Sequence, residues 1–517
     1  MATATSNELR FTRTDPELNE LLERVHELAD LWSALALVGW DQQVNMPHEA
    51  NQVRGPQQAT LQAIAHERLT APRVGELLQA LEARVKGSGF TDTDRGLVRQ
   101  TRRFYDQATK LPTAFVKELA EVTSETWGAW ERAKPANDFA SFAPHLQKLV
   151  ALKRQEAEYY GYQGSPYNAL LDQFEPDMTL ETLTPVLNRV REATVDLLRR
   201  IQASGNTVDT SALHGAFAAD TQMGLCNALL KQVGYRFEAG RMDLSSHPFT
   251  TSFGSPYDVR VTTRVDPEYF PQAMMAAIHE GGHALYEQGS DPALVRTILA
   301  GGASMGMHES ESRLWENYIG RSLPFWQHHF GILREHFPET FANRSVEELV
   351  RALSAVKPSF IRVEADEVTY NLHIIIRFEL EQALLNREIE VTDLPRLWNQ
   401  KYHDYLGITP PTDTVGVLQD IHWSGGSFGY FPTYTLGNLY GAQIYYALRR
   451  EFPDYDARLA AEGTGFILDW LRKHMYAYGQ VYTPGELARK VTGEDLNPEY
   501  FVKYANEKYG ALYGLQD

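Results

Sequence analysis

Cysteine is almost missing from this chain: Cys226 is the only one in 517 residues. A single thiol excludes an intramolecular disulfide and any cysteine-built zinc module. It lies in the helix-like run Thr221 to Leu229, where a lone cysteine reads as a small buried apolar residue rather than a nucleophile. A reducing compartment fits. Positive charge is also in deficit, with 49 Lys and Arg against 67 Asp and Glu and a net charge of -18. Blanket attraction to nucleic acid or to an anionic membrane is therefore not expected. Long apolar runs are missing too. No stretch stays apolar for the 18 or so residues of a membrane span, and the opening MATATSNELRFTRTDPEL lacks the apolar centre of a secretory signal. The expectation is a cytoplasmic protein. Repeats and low-complexity segments are likewise absent.

What the chain does have is apolar material for a large core, at 43% hydrophobic and 22% charged residues. Apolar spacings of three and four predict a mainly α protein. Asp15-Pro16 opens the first helix, with an acidic cap followed by proline at the first helical position. Leu18, Leu21, Leu22, Val25, Leu28 and Leu31 form its apolar stripe. Further helices are predicted over 52–68, 94–109, 113–134, 143–161, 180–203 and 215–233. The loops at 86–89, 162–166 and 206–210 are too short for flexible interdomain linkers. Residues 244–264 differ, being rich in Thr, Val and aromatics, and Tyr257 to Thr263 alternates like a short strand. One small sheet is expected just ahead of the next helix.

That helix carries the decisive chemistry. Pro267 suits its start, Gly289 its end, and the interior reads Ile278-His279-Glu280-Gly281-Gly282-His283. His279 and His283 lie one turn apart on one face, where two imidazoles can share one tetrahedral zinc ion. Glu280 is rotated by about 100°. It can sit beside the metal without binding it and take a proton from an activated water. Gly281 and Gly282 each weaken a helix by roughly 1 kcal/mol against alanine. A helix that tolerates both has something packed close to its backbone, a neighbouring segment or a substrate. A third ligand is expected from Gly301 to Glu316, a glycine-rich turn leading into a helix. On chemistry alone Glu309, Glu311 and Glu316 compete, with His308 a fourth candidate.

These residues resemble the carboxypeptidase Taq family of metallocarboxypeptidases. The likeness extends over roughly 15–515 and rests on five motifs in the family's order. They are Asp258-Val259-Arg260-Val261-Thr262, the His279 to His283 helix, His308-Glu309-Ser310, Ile361 to Asp366, and Gly416 to Trp423. The resemblance implies that Glu309 is the third ligand. It also implies release of single residues from peptide C-termini with broad specificity, a zinc cofactor replaceable by cobalt, and a homodimer. The fold it implies is a single helical domain over 1–517 with a deep groove, walled by an N-terminal part of about 1–240, with 241–517 carrying the metal site.

An enzyme acting at C-termini must grip a free carboxylate, and arginine does so through two parallel hydrogen bonds. Arg362 is the first choice and Arg260 the second. The bland reading for each is an ion pair, with Asp366 and Asp258 as partners. His373 on its apolar helix reads as a satisfied core residue. The run 419–434 is glycine-rich and aromatic, and a loop of this kind can carry donors for a developing oxyanion. His422, Tyr430 and Tyr434 are the candidates, against the reading that the tyrosines merely cover a cleft. Trp40-Asp41 and Met46-Pro47 read as packing and turn residues. An oligopeptidase or aminopeptidase could use the same core, as could a hydrolase of another amide. A purely structural metal would not need Glu280.

Overall fold

In the computed structural model, which describes residues 9–515, the chain forms twenty-one α-helices and a single three-stranded sheet. The first helix, Pro16–Val44, begins as its sequence dictates. The Asp15 side chain accepts from the Leu18 amide at 3.0 Å, and Leu18, Leu21, Leu22, Val25 and Leu28 are buried. The helices read at 52–68, 94–109, 113–134 and 180–203 are present as Asn51–Leu69, Asp92–Lys110, Thr113–Ala136 and Leu180–Ser204. The helix expected from 215 starts later, at Ala219–Gln232. No helix among the described residues is long and apolar enough to cross a membrane.

Two compact units can be distinguished, each built from separated stretches of chain. The first takes in the described residues up to Thr109 together with Asp209–Leu353 and Gln443–Asp495. It holds the sheet, in the order β1 (Met242–Leu244), β3 (Val259–Thr263), β2 (Thr250–Ser252), with β1 parallel and β2 antiparallel to β3. Val259, Val261, Thr262 and Thr263 of β3 are buried. Thr263 Oγ1 donates to the Ala273 carbonyl at 2.9 Å, tying the sheet to the helix Pro271–Gln288. Cys226 is buried against Ala273 and Ala277 of that helix, and burial pushes its thiol up to about 12. It is a packing residue.

The start expected at Pro267 is corrected to Pro271. Residues 267–269 pair instead with 214–217, through Gly215 N to Glu268 O and Phe217 N to Pro267 O. Those carbonyls are thereby unavailable to a helix, and Pro271 takes the first-turn position that lacks an amide requirement. The end at Gly289 stands.

The second unit comprises Lys110–Val208, Ser354–Ala442 and the chain from Leu496 onward. Thr113–Ala136 and Phe139–Tyr160 pack through Phe115, Val122, Leu149 and Leu152. The apolar helix that carries His373 spans Tyr370–Leu385. Asp366 is its lead-in, accepting from the amides of Val368 and Thr369.

Candidate metal centre

Ser304 caps the helix Met305–Arg313, its hydroxyl accepting from the Met307 amide, and the helix runs on into a π-helical turn over Leu314–Ile319. This helix crosses the glycines of Pro271–Gln288 closely. A Cβ on Gly282 would lie 2.6 Å from the Glu311 carbonyl oxygen and 2.8 Å from Ser312 Cα, and one on Gly281 would meet Leu230. The glycine pair is therefore spent on a neighbouring segment of chain, one of the two explanations its sequence raised.

That crossing brings three donors together. Glu309 Oε2 stands 3.7 Å from His279 Nε2 and 3.4 Å from His283 Nε2, and donor atoms of the three side chains all lie within 4.8 Å of one another. Two imidazole nitrogens and one carboxylate oxygen make a group able to hold a divalent ion. Among the described residues it is the one such group found. Glu309 Oε1 is already engaged by Arg313 Nε at 2.7 Å, so one oxygen alone faces the histidines.

The competing candidates have other work. Glu316 Oε2 is 2.9 Å from His279 Nδ1 and accepts from Arg313, while Oε1 accepts from Arg321. His308 Nδ1 is 2.6 Å from His283 Nδ1. Glu311 is buried behind the helix, where it accepts from the Tyr476 hydroxyl, and burial pushes its carboxyl up to about 8. Supporting partners of this kind fix ring orientation in metal sites.

Electrostatics sort the carboxylates. Burial raises Glu309, but Arg313 and the two histidines outweigh it and hold the group well below the usual carboxylate range. Burial works against Glu316 too, yet His279 and Arg313 bring it down to about 2. Both are ionised acceptors. Glu280 goes the other way: burial raises its pKa, only partly opposed by His279 and by Thr250, whose hydroxyl donates to Oε2 at 2.8 Å. A carboxylate shifted toward neutrality is a better proton acceptor and donor near neutral pH. Burial lowers His283 to about 4, so its ring is neutral and able to ligate.

Arg260, also in the first unit, forms a two-pronged pair with Asp258 at 2.9 and 2.8 Å and lies over the Trp40 ring. The ion pair weighed for it is present, and Trp40 is a buried packing residue as read.

The remaining candidates lie in the second unit. Arg362 is buried in a short 3-10 turn, Arg362–Glu364. Its expected partner Asp366 is occupied by backbone amides, and the partner is Asp420, with Nε to Oδ1 at 2.9 Å. Arg377 takes the other oxygen of Asp420 at 2.6 Å. Burial resists charge on Asp420, but the two guanidiniums outweigh it and drive its pKa far down. Arg362 Nη1 donates to the Tyr370 hydroxyl, and Nη2 has no hydrogen-bond partner among the described residues.

His422 Nε2 sits 3.2 Å from the Tyr434 hydroxyl, and Tyr430 packs beside both rings. Burial lowers His422 to about 4. Residues 419–431 are irregular as expected, while Tyr434 belongs to the helix Pro432–Glu451. Arg362, His422, Tyr430 and Tyr434 are thus brought together. His373 is a core residue, buried and bonded to the Tyr402 hydroxyl at 2.9 Å.

Sequence reasoning missed Thr250, Asp420 and Glu381. Glu381 is fully buried and accepts from Trp423 Nε1, the Gly429 amide and the Tyr167 hydroxyl, pinning the 419–431 loop at two points. Only the carboxylate-rich spacing of Glu309, Glu311 and Glu316 gave a signal for the supporting residues. Thr250 and Glu381 act across the fold and left none.

The model of the carboxypeptidase Taq (M32) metallopeptidase family matches residues 20–509. Carboxypeptidase 1 of Bacillus subtilis is 41% identical, covering 97% of this chain and 99% of its own. Thermostable carboxypeptidase 1 of Thermus thermophilus is 42% identical over 96% and 98%. The crystal structure of an M32 carboxypeptidase from Deinococcus radiodurans superposes with a TM-score of 0.93 at 40% identity, covering 97% and 100%. The chain belongs to the carboxypeptidase Taq family of metallopeptidases. It is a metallocarboxypeptidase, a hydrolase that works with a divalent metal, and the His-His-Glu group fits such an ion in number, type and spacing of donors.

Proposed function

We propose that the enzyme removes single amino acids from peptide C-termini with broad side-chain tolerance, using zinc held by His279, His283 and Glu309. The observation that carries this reading is the convergence of three donor atoms, two of them imidazole nitrogens, beside a buried Glu280. Held there, the ion would supply Lewis-acid chemistry toward a water and the scissile carbonyl. Glu280 accepts the water's proton and passes it to the departing amine, held for that task by Thr250. His422, Tyr430 and Tyr434 are the proposed donors to the developing oxyanion. Arg362 is the proposed grip on the substrate carboxylate, favoured by its unengaged Nη2. Arg260 stands second because Asp258 claims its fork.

Cobalt is expected to replace zinc. The chain is proposed to work as one domain over 1–517, as a homodimer, in the cytoplasm. Peptides with a free C-terminus are the proposed partners, and the net charge of -18 argues against blanket attraction to nucleic acid or anionic membranes.

The test is mass spectrometry of a peptide incubated with purified protein, with and without chelator. A ladder shortened from the C-terminus, abolished by chelator and restored by zinc, is the expected result. Internal cleavage or an N-terminal ladder would replace this reading with an oligopeptidase or an aminopeptidase.

A further inference from the structure

The two candidate histidine ligands are backed differently. His279 Nδ1 meets a carboxylate directly, Glu316, itself anchored by Arg313 and Arg321. His283 Nδ1 meets another imidazole, His308 Nδ1, at 2.6 Å. His308 Nε2 in turn lies 2.7 Å from Glu287 Oε1, a buried carboxylate. The rings of His283 and His308 lie 4.6 Å apart, and Tyr286 stacks obliquely on His308. Even a Cβ on Gly302 would come within 2.7 Å of His308 Cδ2. The His308 ring packs between His283 and Tyr286 and close over Gly302.

Proton counting gives this row a direction. A ligating His283 must offer the lone pair of Nε2, so its proton sits on Nδ1. That N–H donates to His308 Nδ1, which must then be a bare acceptor. The one remaining proton of a neutral His308 is on Nε2, and it donates to Glu287. Glu287 is ionised: burial raises its pKa, but His308 and Ser252 bring it below the ordinary value. Every tautomer in the row is thus set from its far end, and two hydrogen bonds separate the charge of Glu287 from the ligand ring.

We propose that His308 and Glu287 are positioning residues for the metal, a histidine–carboxylate strut that holds His283 in the tautomer and orientation presenting Nε2 to the ion. This rests on the proposed ligation by His279, His283 and Glu309. The motif around Glu309 therefore contributes twice, once as a ligand and once, through its neighbour 308, as the support of a ligand on another helix.

The test is the zinc dissociation constant of wild type, His308→Ala, His308→Asn and Glu287→Gln, by competition with a chromophoric chelator. It is combined with melting temperatures of the metal-free and zinc-loaded proteins. Losing a supporting partner typically weakens metal affinity about 10–100-fold, and His308→Ala is expected in that range. His308→Asn, which keeps an acceptor near His283 Nδ1, should recover part of the loss, and Glu287→Gln should lose several-fold while keeping the side-chain volume. Metal-free melting temperatures should match wild type, while the rise on adding zinc shrinks. Cobalt-loaded His308→Ala should show an altered visible spectrum.

Affinity within twofold of wild type in both His308→Ala and Glu287→Gln would overturn the proposal. So would equal loss of stability with and without metal, which marks packing alone. If His308→Ala does not fold, Glu287→Gln and His308→Asn decide between the same outcomes. A wild-type protein that takes up no zinc would instead remove the ligand assignment beneath it.

Discussion

The His279–His283–Glu309 cluster in one unit and the Arg362–Asp420–His422 cluster in the other are both buried and both built on carboxylates, yet they are opposites. In the first, one ionised oxygen of Glu309 faces two imidazole nitrogens across 3.4 and 3.7 Å, wider than a hydrogen bond and suited to an ion between them. In the second, both oxygens of Asp420 are consumed by guanidiniums at 2.9 and 2.6 Å. The first cluster is arranged to receive a cation. The second already contains its cations and closes on itself, leaving Arg362 Nη2 and the buried His422 Nδ1 without hydrogen-bond partners among the described residues. The difference teaches that a binding group is recognised by what it leaves unsatisfied rather than by how many charges it gathers.

The sharpest way to break the contrast is Glu280→Gln. Turnover should fall by at least the roughly 10²–10⁴-fold of a lost general base, while zinc content, read by elemental mass spectrometry, stays stoichiometric. Near-normal activity in this variant would refute the base assignment. Next in size is Asp420→Asn. With the charge gone, two buried guanidiniums lose their counter-ion, and breaking a buried pair typically costs about 3–5 kcal/mol. Chemical denaturation should register a loss of that order, and an unchanged midpoint would show the pair to be dispensable. The matched change in the first cluster, Glu309→Gln, should by contrast leave the metal-free fold nearly as stable and remove metal binding.

Legibility in the sequence follows the same division. His279 and His283 lie one turn apart on one helix, so helical geometry alone puts them on a common face with Glu280 beside them. The glycine pair signalled a close neighbour, either chain or substrate, and the structure shows it to be chain. Asp420 as partner of Arg362 was not legible, because 58 residues with two α-helices separate them and Asp420 sits in an irregular loop with no period to read. The nearby Asp366 looked the better match until its backbone role was seen. The helices with strong apolar stripes were found almost to their ends. The start at Pro267 failed because a pairing with residues 214–217, distant in sequence, claimed that backbone.

Two smaller effects sharpen the second cluster. Arg362→Ala should raise the Michaelis constant for peptides with a free C-terminus by about tenfold or more, the scale of a lost charged hydrogen bond, and change little for amidated ones. An equal effect on both would take Arg362 out of carboxylate recognition. Glu381 offers a test by pH. Burial raises its pKa to about 7 against an ordinary 4.5. The unfolded chain therefore releases this proton first, and the stability it contributes is complete below the unfolded value and is lost as pH rises through about 7. Between those limits the melting temperature of wild type should fall relative to Glu381→Gln, whose side chain cannot titrate. A constant difference would mean that Glu381 stays ionised throughout.

Gly282 deserves a last consideration, since nothing but a hydrogen atom stands between its backbone and Ser312. The helix bearing Glu309 comes to rest there, so the missing methyl sets how near the Glu309 carboxylate stands to the two imidazoles. Zinc and calcium differ in their preferred oxygen distances by only a few tenths of an ångström. A gauge of that fineness is being kept by a contact that never touches the ion. Enlarging residue 282 would push that helix outward and shift the Glu309 carboxylate away from the two imidazoles, although no side chain of the group had been changed.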